Sequence, residues 1–266
     1  MSTSGVETSG SSSSRDSEFI VRMVGVTKRF GDNVVLADLE LAIERGTNFV
    51  IMGLSGTGKS VTLKLMCGLD RPDSGTVEIC GVRLDNATRK DIARVRENLG
   101  FVFQGAALIN WLSARENVAL PLLERGVPRK EAEEIVAREL AEVGLSDIGD
   151  KYPDEISGGM RKRVGFARAT VDEPKLVLYD EPTSGLDPRT TRTIDELIID
   201  ARDRLGATGV VVSHDVASAL RVADRIGLLY EGHLDVILTP DEFRRSDHPV
   251  VRSFLESAPL GANGSS

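Results

Sequence analysis

One short segment limits the possible folds of this chain more than any other. Residues 53–60 read Gly-Leu-Ser-Gly-Thr-Gly-Lys-Ser and match the phosphate-loop pattern GxxxxGK[ST]. The loop ends an apolar run, residues 48–53, of the kind that forms a strand covered on both faces. A helix is expected to begin near Lys59. Because this motif needs a buried strand before it and a helix after it, the segment predicts an α/β protein with a parallel sheet.

The residue types in this loop explain how it could hold a polyphosphate. Glycines let the backbone wrap tightly and turn successive N–H groups toward phosphate oxygens. The positive end of the following helix adds to the attraction. Lys59 would reach the β and γ phosphates, and the Ser60 hydroxyl would ligate Mg²⁺. The predicted phosphate-binding residues are Gly53, Leu54, Ser55, Gly56, Thr57, Gly58, Lys59 and Ser60.

The remaining strand-like segments fall into two kinds. Residues 175–180 and 209–214 are near-continuous apolar runs, which suit strands buried on both faces of a parallel sheet. Residues 39–44 and 76–79 alternate apolar with polar or small side chains, the period of a half-buried antiparallel strand. The two patterns predict the parallel-sheet core of a phosphate-loop NTPase, preceded by an N-terminal antiparallel β subdomain.

A helical stretch separates the sheet-forming regions. Pro128 is predicted at the first position of a helix, and Gly144 just beyond its end. A second helix is predicted from Pro188 to about Leu205, with apolar residues along one face. We interpret the region at about 105–160 as an α-helical subdomain inserted into the α/β core.

Charge and composition disfavour several classes of protein. Lys and Arg total 33 against 41 acidic residues, and the net charge of -8 disfavours a nucleic-acid partner. The two cysteines, Cys67 and Cys80, are predicted to be reduced thiols packed against their neighbours. Only three histidines are present, which leaves little for a His-rich metal site.

The chain lacks the sequence signals of membrane insertion or secretion. No apolar run approaches the roughly 18 to 20 residues that cross a bilayer, so a cytoplasmic location is expected. Residues 1–18 are rich in Ser, Thr and Gly and have no apolar core of a signal peptide. We predict a disordered tail there, one folded domain at residues 19–257, and a flexible tail at 258–266.

The segment 177–181 is an apolar run that ends in two acidic residues, Asp180 and Glu181. In phosphate-loop NTPases the first acid of such a pair holds Mg²⁺, usually through water, which gives that role to Asp180. Glu181 would then stand beside the γ-phosphate, where a carboxylate could polarise the attacking water. Without the phosphate loop elsewhere in the chain, a strand that ends in Asp-Glu would not indicate this function.

A Ser-Gly-Gly segment precedes another helical run. Ser157 could simply cap the helix, with Gly158 and Gly159 as flexible residues in its first turn. The same exposed N–H groups and hydroxyl could also form an anion site. The segment alone does not distinguish the two interpretations.

The order of these motifs resembles that of the ATP-binding cassette (ABC) family over nearly the whole of residues 19–257. A phosphate loop, a glutamine loop, a Ser-Gly-Gly signature, an Asp-Glu strand, a Ser-Gly-Leu-Asp loop and a switch histidine follow one another in the chain. The resemblance implies an ATPase that uses ATP and Mg²⁺ and pairs with a second copy of itself. Two such cassettes would sandwich two ATP molecules head to tail, with Ser157, Gly158 and Gly159 on the γ-phosphate of the opposite copy's ATP.

The resemblance also implies roles for four residues outside the phosphate loop. Gln104, at the end of the strand Phe101-Val-Phe, would touch Mg²⁺ or its water and sense the membrane partner. His214 would contact the γ-phosphate, and Asp187 would communicate between the two cassettes. Asp187 is also a plausible N-cap for the following helix. Phe30 would stack on adenine, although a core-packing role is the alternative.

The chain departs from the family pattern at two positions. Many members have Thr after the phosphate-loop Ser, where its hydroxyl meets the α-phosphate, but here the residue is Val61. That contact would fall to the backbone N–H of Val61. The signature carries Met160 where many importers have Gln. Neither change touches the residues expected to catalyse hydrolysis, Lys59, Gln104, Glu181 and His214.

Several softer motifs resemble one branch of the family, the lipid-transport ATPases of MCE (Mla-type) systems. They are the Ser-Gly-Gly-Met signature followed by basic residues, and the segments 103–108, 116–121 and 247–255. This resemblance implies a permease dimer and MCE-domain lipid-binding proteins as partners, and a place on the cytoplasmic face of the membrane. Another ABC importer or exporter is the first alternative. A soluble ABC ATPase is the second, although the chain lacks the coiled-coil or zinc insertions and the second cassette expected there.

Overall fold

The structure, a computed structural model, describes residues 18–257. The tails expected at 1–18 and 258–266 lie outside these residues, apart from Glu18. The strands are β1 (Phe19–Phe30), β2 (Asn33–Glu44), β3 (Asn48–Met52), β4 (Ser74–Ile79), β5 (Val82–Arg83), β6 (Leu99–Val102), β7 (Leu176–Asp180), β8 (Thr208–Ser213), β9 (Arg225–Tyr230) and β10 (His233–Leu238).

Helices cover both faces of the larger sheet, and none within residues 18–257 is long and apolar enough to span a membrane. The α-helices are α1 (Lys59–Met66), α2 (Arg89–Arg96), α3 (Ala114–Glu124), α4 (Arg129–Glu142), α5 (Gly158–Thr170), α6 (Pro188–Leu205), α7 (Val216–Val222), α8 (Pro240–Arg245) and α9 (Pro249–Ser257). A short 3₁₀ turn at Pro153–Glu155 precedes α5.

The strands form two sheets, as the sequence predicts. A four-stranded antiparallel sheet has the order β2-β1-β4-β5, and a six-stranded sheet has the order β10-β9-β3-β8-β7-β6. Strands β9, β3, β8, β7 and β6 run parallel, and β10 pairs antiparallel at the edge. The α/β fold of a phosphate-loop NTPase with a separate antiparallel sheet is therefore confirmed.

Alternate side chains of β3 enter the two halves of the core. Val50 and Met52 belong to a buried cluster shared with α3 to α9, whereas Phe49 and Ile51 belong to a second cluster shared with α1 and the small sheet. All four side chains are at most 3% exposed. Burial on both faces explains why the parallel strands have continuous apolar sequences, while β2 alternates.

The helical stretch begins and ends close to the predicted positions. Helix α4 starts at Arg129, and Pro128 is its N-cap with an extended ψ of 139°, so placing Pro128 at the first helical position was wrong by one residue. Gly144 follows the last turn with φ +67°, as expected of a residue beyond the end. Helices α3 and α4 lie within 105–160, and α5 extends beyond it to contact β6. The boundary of a helical subdomain at about 105–160 stays a prediction.

One buried carboxylate joins the helical region to α6. Glu139 on α4 is 8% exposed, accepts a 3.4 Å hydrogen bond from Thr170 Oγ1, and lies 3.9 Å from the Arg204 guanidinium. Burial raises the pKa of Glu139, although Arg204 and Thr170 act in the opposite direction. A raised pKa means that the protonated carboxyl stabilises the fold below its ordinary pKa, and that this contribution is lost as the pH rises through the folded-state pKa.

We expect Glu139→Gln to raise the free energy of unfolding at pH 7–8 by on the order of 1 kcal/mol, because the amide has no charge to desolvate. The advantage over the natural protein should shrink toward pH 4, where the carboxyl is protonated in both states. Urea denaturation from pH 4 to pH 8 measures it, with exposed Glu134→Gln on the same helix as control. Parallel pH curves for the natural protein and the Glu139 variant would contradict this prediction.

Candidate functional site

The phosphate loop connects β3 to α1 and has two positions that only glycine fits. Gly58 precedes α1 with φ +103°, and a Cβ built there would lie 3.0 Å from the Val35 carbonyl oxygen of β2. At Gly53, a Cβ would lie 2.6 Å from Thr57 Oγ1 and 2.7 Å from the Leu229 carbonyl oxygen. The two distances at Gly53 are too short for a real Cβ, and the left-handed φ of Gly58 disfavours any other residue, so the backbone path of the loop depends on these glycines.

Lys59 lies in the first turn of α1 and points back across the loop. Its Nζ donates to the carbonyl oxygens of Gly53 at 2.8 Å and Leu54 at 3.0 Å, and it is 4.0 Å from Glu181 Oε1. Burial lowers the pKa of Lys59, while the charges of Glu181 and Asp180 raise it. The ammonium therefore lies between the loop and the acidic end of β7.

Ser60 and Asp180 provide adjacent oxygen atoms. The Ser60 hydroxyl donates to Asp180 Oδ1 at 3.0 Å, although 120 residues separate them in the chain. A hydroxyl and a carboxylate are hard oxygen donors that suit Mg²⁺, which usually keeps several waters and binds substrate phosphates as well. No group of three or more His, Cys, Asp or Glu within 18–257 could hold a metal ion. The donor pair thus fits a magnesium ion carried on a nucleotide better than a metal held by protein alone.

Glu181 is held directly beyond β7 in an unusual backbone conformation. Its φ is +48°, in the left-handed region that costs most non-glycine residues energy. Its N–H donates to the Val212 carbonyl at 3.0 Å. Glu181 Oε2 lies 2.8 Å from His214 Nδ1, and the side chains are 13% and 63% exposed. A carboxylate fixed against an accessible imidazole can accept a proton from water.

Sheet topology explains why these side chains meet. In the parallel register, Met52 of β3 pairs with Ser213 of β8, and Val212 pairs with Asp180 of β7. The carboxyl ends of three neighbouring strands therefore lead directly to the phosphate loop, His214 and Glu181. Open α/β sheets bind ligands at this edge.

The Ser-Gly-Gly segment begins α5 and contacts α6. Ser157 caps α5 by accepting from Met160 N–H at 3.3 Å, which confirms the capping interpretation of its sequence. A Cβ at Gly159 would lie 2.7 Å from the Thr190 side chain. Thr190 Oγ1 donates to Asp187 at 2.5 Å, and this bond helps to hold the pKa of Asp187 below its usual range. Asp187 is the N-cap of α6, as predicted.

Two predicted residues stand apart from the cluster. Gln104 is exposed and lies two residues beyond Val102, where β6 ends, so its predicted position at the strand's end was wrong. Phe30 ends β1 with 51% of its surface exposed, and Lys28 Nζ lies 5.2 Å from its ring centroid. The alternative of a core-packing Phe30 is not supported by that exposure. Its hairpin partner strand β2 passes beside Gly58 at Val35.

The structure thus brings together one group of predicted residues and leaves another apart. Hydrogen bonds or ion pairs link Lys59, Ser60, Asp180, Glu181 and His214. Within residues 18–257, none links the signature to the phosphate loop. The remaining positions lie on the loop or on other surfaces of the chain: Gly53, Leu54, Ser55, Gly56, Thr57, Gly58, Val61, Phe30, Gln104, Ser157, Gly158, Gly159 and Asp187.

Three basic residues near the site have contacts that the sequence analysis missed. Lys162 Nζ donates to two carbonyls just beyond Glu181. Arg168 donates to the carbonyls of Ala106 and Ala107, which follow Gln104 with φ values of +62° and +46°. Lys28 contacts the Phe30 ring. In the sequence, each of these basic residues lies within or beside a run of apolar residues. Periodicity alone predicts that a charged side chain at such a position points to solvent.

Known proteins share this sequence and architecture. Residues 36–184 match the family described as "ABC transporter". A relative from Mycobacterium bovis, "Probable ribonucleotide transport ATP-binding protein mkl", is 41% identical over 92% of this chain and 69% of its own length. "Methionine import ATP-binding protein MetN 2" of Rhodococcus jostii is 39% identical over 90% of this chain and 72% of its own length.

Solved structures agree with the sequence relatives. A dimeric post-hydrolysis state of the cassette MJ0796 bound to ADP and Pi has a TM-score of 0.75 and 32% identity, and the match covers 83% of this chain and 98% of that one. The cassette cbiO1 from Clostridium perfringens has a TM-score of 0.78 and 27% identity, covering 90% and 98%. The family match, the relatives and the solved structures lead to one conclusion: the chain belongs to the ABC transporter family and is one of its ATPase cassettes.

Proposed function

We propose that this cassette hydrolyses ATP between two copies of itself and thereby powers a membrane permease that moves lipid. The observation that carries the catalytic part is the contact of Glu181 with both His214 and Lys59 at the end of β7. A general base must lie within hydrogen-bond reach of the water that it activates, and Glu181 is fixed at the expected edge of the sheet.

The proposed chemistry assigns one task to each member of the cluster. The phosphate loop and Lys59 bind the β and γ phosphates, while Glu181 accepts a proton from the attacking water. His214 orients Glu181 and contacts the γ-phosphate. Mg²⁺, held through Ser60 and Asp180 with Gln104 beside it, would neutralise charge on the phosphate oxygens. Phe30, whose ring is exposed on one hairpin, would stack on the base.

The signature residues are proposed to act on a second copy. Ser157 and Gly158 are exposed, and their segment makes no hydrogen bond to the phosphate loop within the described chain. A helix N-terminus with free N–H groups suits an anion. A second cassette arranged head to tail would bring its own ATP there, and the solved MJ0796 cassette supports pairing because it is a dimer. Each nucleotide state would then favour a different permease conformation.

The lipid assignment rests on the softer sequence motifs. The segment 116–121 lies on α3, where buried Asn117 bonds to the backbone of Ile109, Leu112 and Ser113. The segment 247–255 enters α9, whose Val251 and Phe254 are buried in the core. We propose an MCE/Mla-type permease dimer with MCE-domain lipid-binding proteins as partners, at the cytoplasmic face of the membrane.

A second candidate cargo is a small polar solute. The names of two relatives, which refer to ribonucleotide transport and methionine import, favour this alternative for a chain so similar to them. ATP chemistry does not distinguish the two, because cargo contacts belong to the permease and its partners.

Affinity purification separates these functions. We expect the tagged protein, taken from its own membranes in mild detergent, to recover a multi-spanning permease, MCE-domain proteins and bound lipid by mass spectrometry. A permease with a solute-binding partner and no MCE-domain protein would contradict the lipid assignment and leave the ATPase intact. Recovery of only DNA-repair or ribosomal proteins would contradict the transport role. Untagged membranes treated identically provide the control.

A further inference from the structure

Three consecutive basic residues follow the Ser-Gly-Gly-Met signature, and each binds a different segment of backbone. Arg161 Nη1 donates to the carbonyls of Pro153 and Ile156, before α5. Arg163 Nη1 donates to the carbonyls of Val143 and Gly144, at the end of α4. This run is therefore not a solvated charged face, because its side chains attach α5 to the neighbouring segments.

The middle residue, Lys162, reaches the loop that carries the proposed catalytic base. Lys162 is 9% exposed, and its Nζ donates to the carbonyl oxygens of Pro182 at 2.9 Å and Ser184 at 2.6 Å. The same loop closes on itself through Ser184 N–H to the Glu181 carbonyl at 3.2 Å. The ammonium thus binds the inner side of the turn that begins at Glu181.

The charge of Glu181 also acts on the Lys162 ammonium. Burial lowers the pKa of Lys162, and the charge of Glu181 acts against that shift. Within residues 18–257, no carboxylate lies within ion-pair distance of its Nζ, so two carbonyl dipoles supply the close contacts. Hydrogen bonds from a charged donor are about twice as strong as neutral ones, so the loss of this donor would weaken the attachment of the turn to α5.

Lys162 also connects two segments that carry proposed site residues. It belongs to α5, whose first turn holds Gly158 and Gly159, and it binds the loop that leads from Glu181 to Asp187. A Cβ built at Gly159 would lie 2.7 Å from the Thr190 side chain, so α5 and the start of α6 also lie close together there. A displacement of about 1 Å at a catalytic group can cost about 100-fold in rate.

We propose that Lys162 is a positioning residue for ATP hydrolysis, which holds the loop from Glu181 to Asp187 in a fixed position relative to the signature end of α5. This inference rests on the proposed roles of Glu181 and the signature. Lys162 acts through these residues and touches neither the nucleotide nor the water. Its removal should therefore lower the rate of hydrolysis more than the affinity for nucleotide.

The test compares Lys162→Met, Lys162→Arg and Arg163→Met in the full-length protein purified with its membrane partners. Steady-state hydrolysis of MgATP gives kcat and KM, and thermal unfolding reports on folding. We expect Lys162→Met to lower kcat by about 10- to 100-fold with KM changed by less than about threefold. Lys162→Arg keeps a charged donor and should recover much of the rate. Arg163→Met removes equivalent carbonyl bonds from the same helix and should keep kcat near that of the natural protein.

The outcomes separate this inference from the proposed catalytic role. If Lys162→Met keeps at least half of the natural kcat, or loses no more than Arg163→Met at equal stability, the positioning role is wrong. If Lys162→Arg is as slow as Lys162→Met while folded, a charged donor is not what the turn requires, which also overturns it. Glu181→Gln, measured in parallel, reports on the proposed base alone.

Discussion

Replacing Glu181 with Gln is expected to leave ATP binding intact and to lower kcat by about 10²- to 10⁴-fold, the usual contribution of a general base. The amide keeps the shape of the side chain and can still contact His214, whose Nδ1 lies 2.8 Å from the carboxylate. It cannot accept a proton from water. Lys59, which binds the loop carbonyls at 2.8 and 3.0 Å, does not depend on that carboxylate for its position.

The measurement pairs ATPase turnover with equilibrium binding of ATP. Glu173→Gln is a matched control, because Glu173 is exposed, has the same φ of +48°, and lies before β7 at the end opposite Glu181. We expect the control to hydrolyse ATP at the natural rate. Full turnover by Glu181→Gln would remove Glu181 from the central role, and loss of ATP binding would show that the carboxylate has a structural task at Lys59.

The fold could be predicted largely from local pattern. Strands β3, β7 and β8 have nearly continuous apolar sequences because helices or the small sheet cover both of their faces. Apolar and polar residues alternate along β2 because one face of this strand is covered and the other is not. Boundaries were less predictable: Pro128 caps α4 with extended ψ, because its fixed φ suits either position.

Some features of the candidate site could likewise be predicted from the sequence, and others could not. Asp180 ends one apolar strand, and Lys59 and His214 lie beyond the ends of two others, so sequence alone predicts that they share one edge of the sheet. The contacts of Lys162 and Lys28 could not be predicted, since a basic side chain on a half-buried pattern can point to solvent or inward. The left-handed φ of Glu181 could not be predicted from the sequence either, because it depends on the neighbouring strand that binds the Glu181 N–H.

Gly158→Asp is expected to keep or raise the stability of the protein while lowering kcat by about 100-fold or more. A Cβ at Gly158 would meet only Arg161 Nη2 at 3.8 Å, so the new side chain has room. An acidic residue in the first turn of α5 stabilises the helix by about 0.3–1 kcal/mol. The same carboxylate would repel the γ-phosphate proposed to approach from the opposite cassette, where removal of even one hydrogen-bond donor costs about 10²–10³ in rate.

Thermal unfolding and ATPase assays of Gly158→Asp test both halves of this expectation. Lys130→Asp, which adds an acidic residue to the exposed first turn of α4, is the control and should keep its activity. A folded Gly158→Asp variant with the natural kcat would remove the signature from the reaction. A variant that binds ATP more weakly as a monomer would place the signature beside its own phosphate loop.

Mixing two inactive variants then tests whether each site is shared between chains. Lys59→Met lacks the phosphate-loop ammonium and keeps the signature, whereas Gly158→Asp has the reverse defect. In a head-to-tail dimer of one of each, one site combines the two intact halves and the other combines the two defects. Random pairing makes half of the dimers mixed, so activity should rise to about a quarter of the natural value if the sites act independently. A mixture no more active than its separate components would contradict independent sites built from two chains.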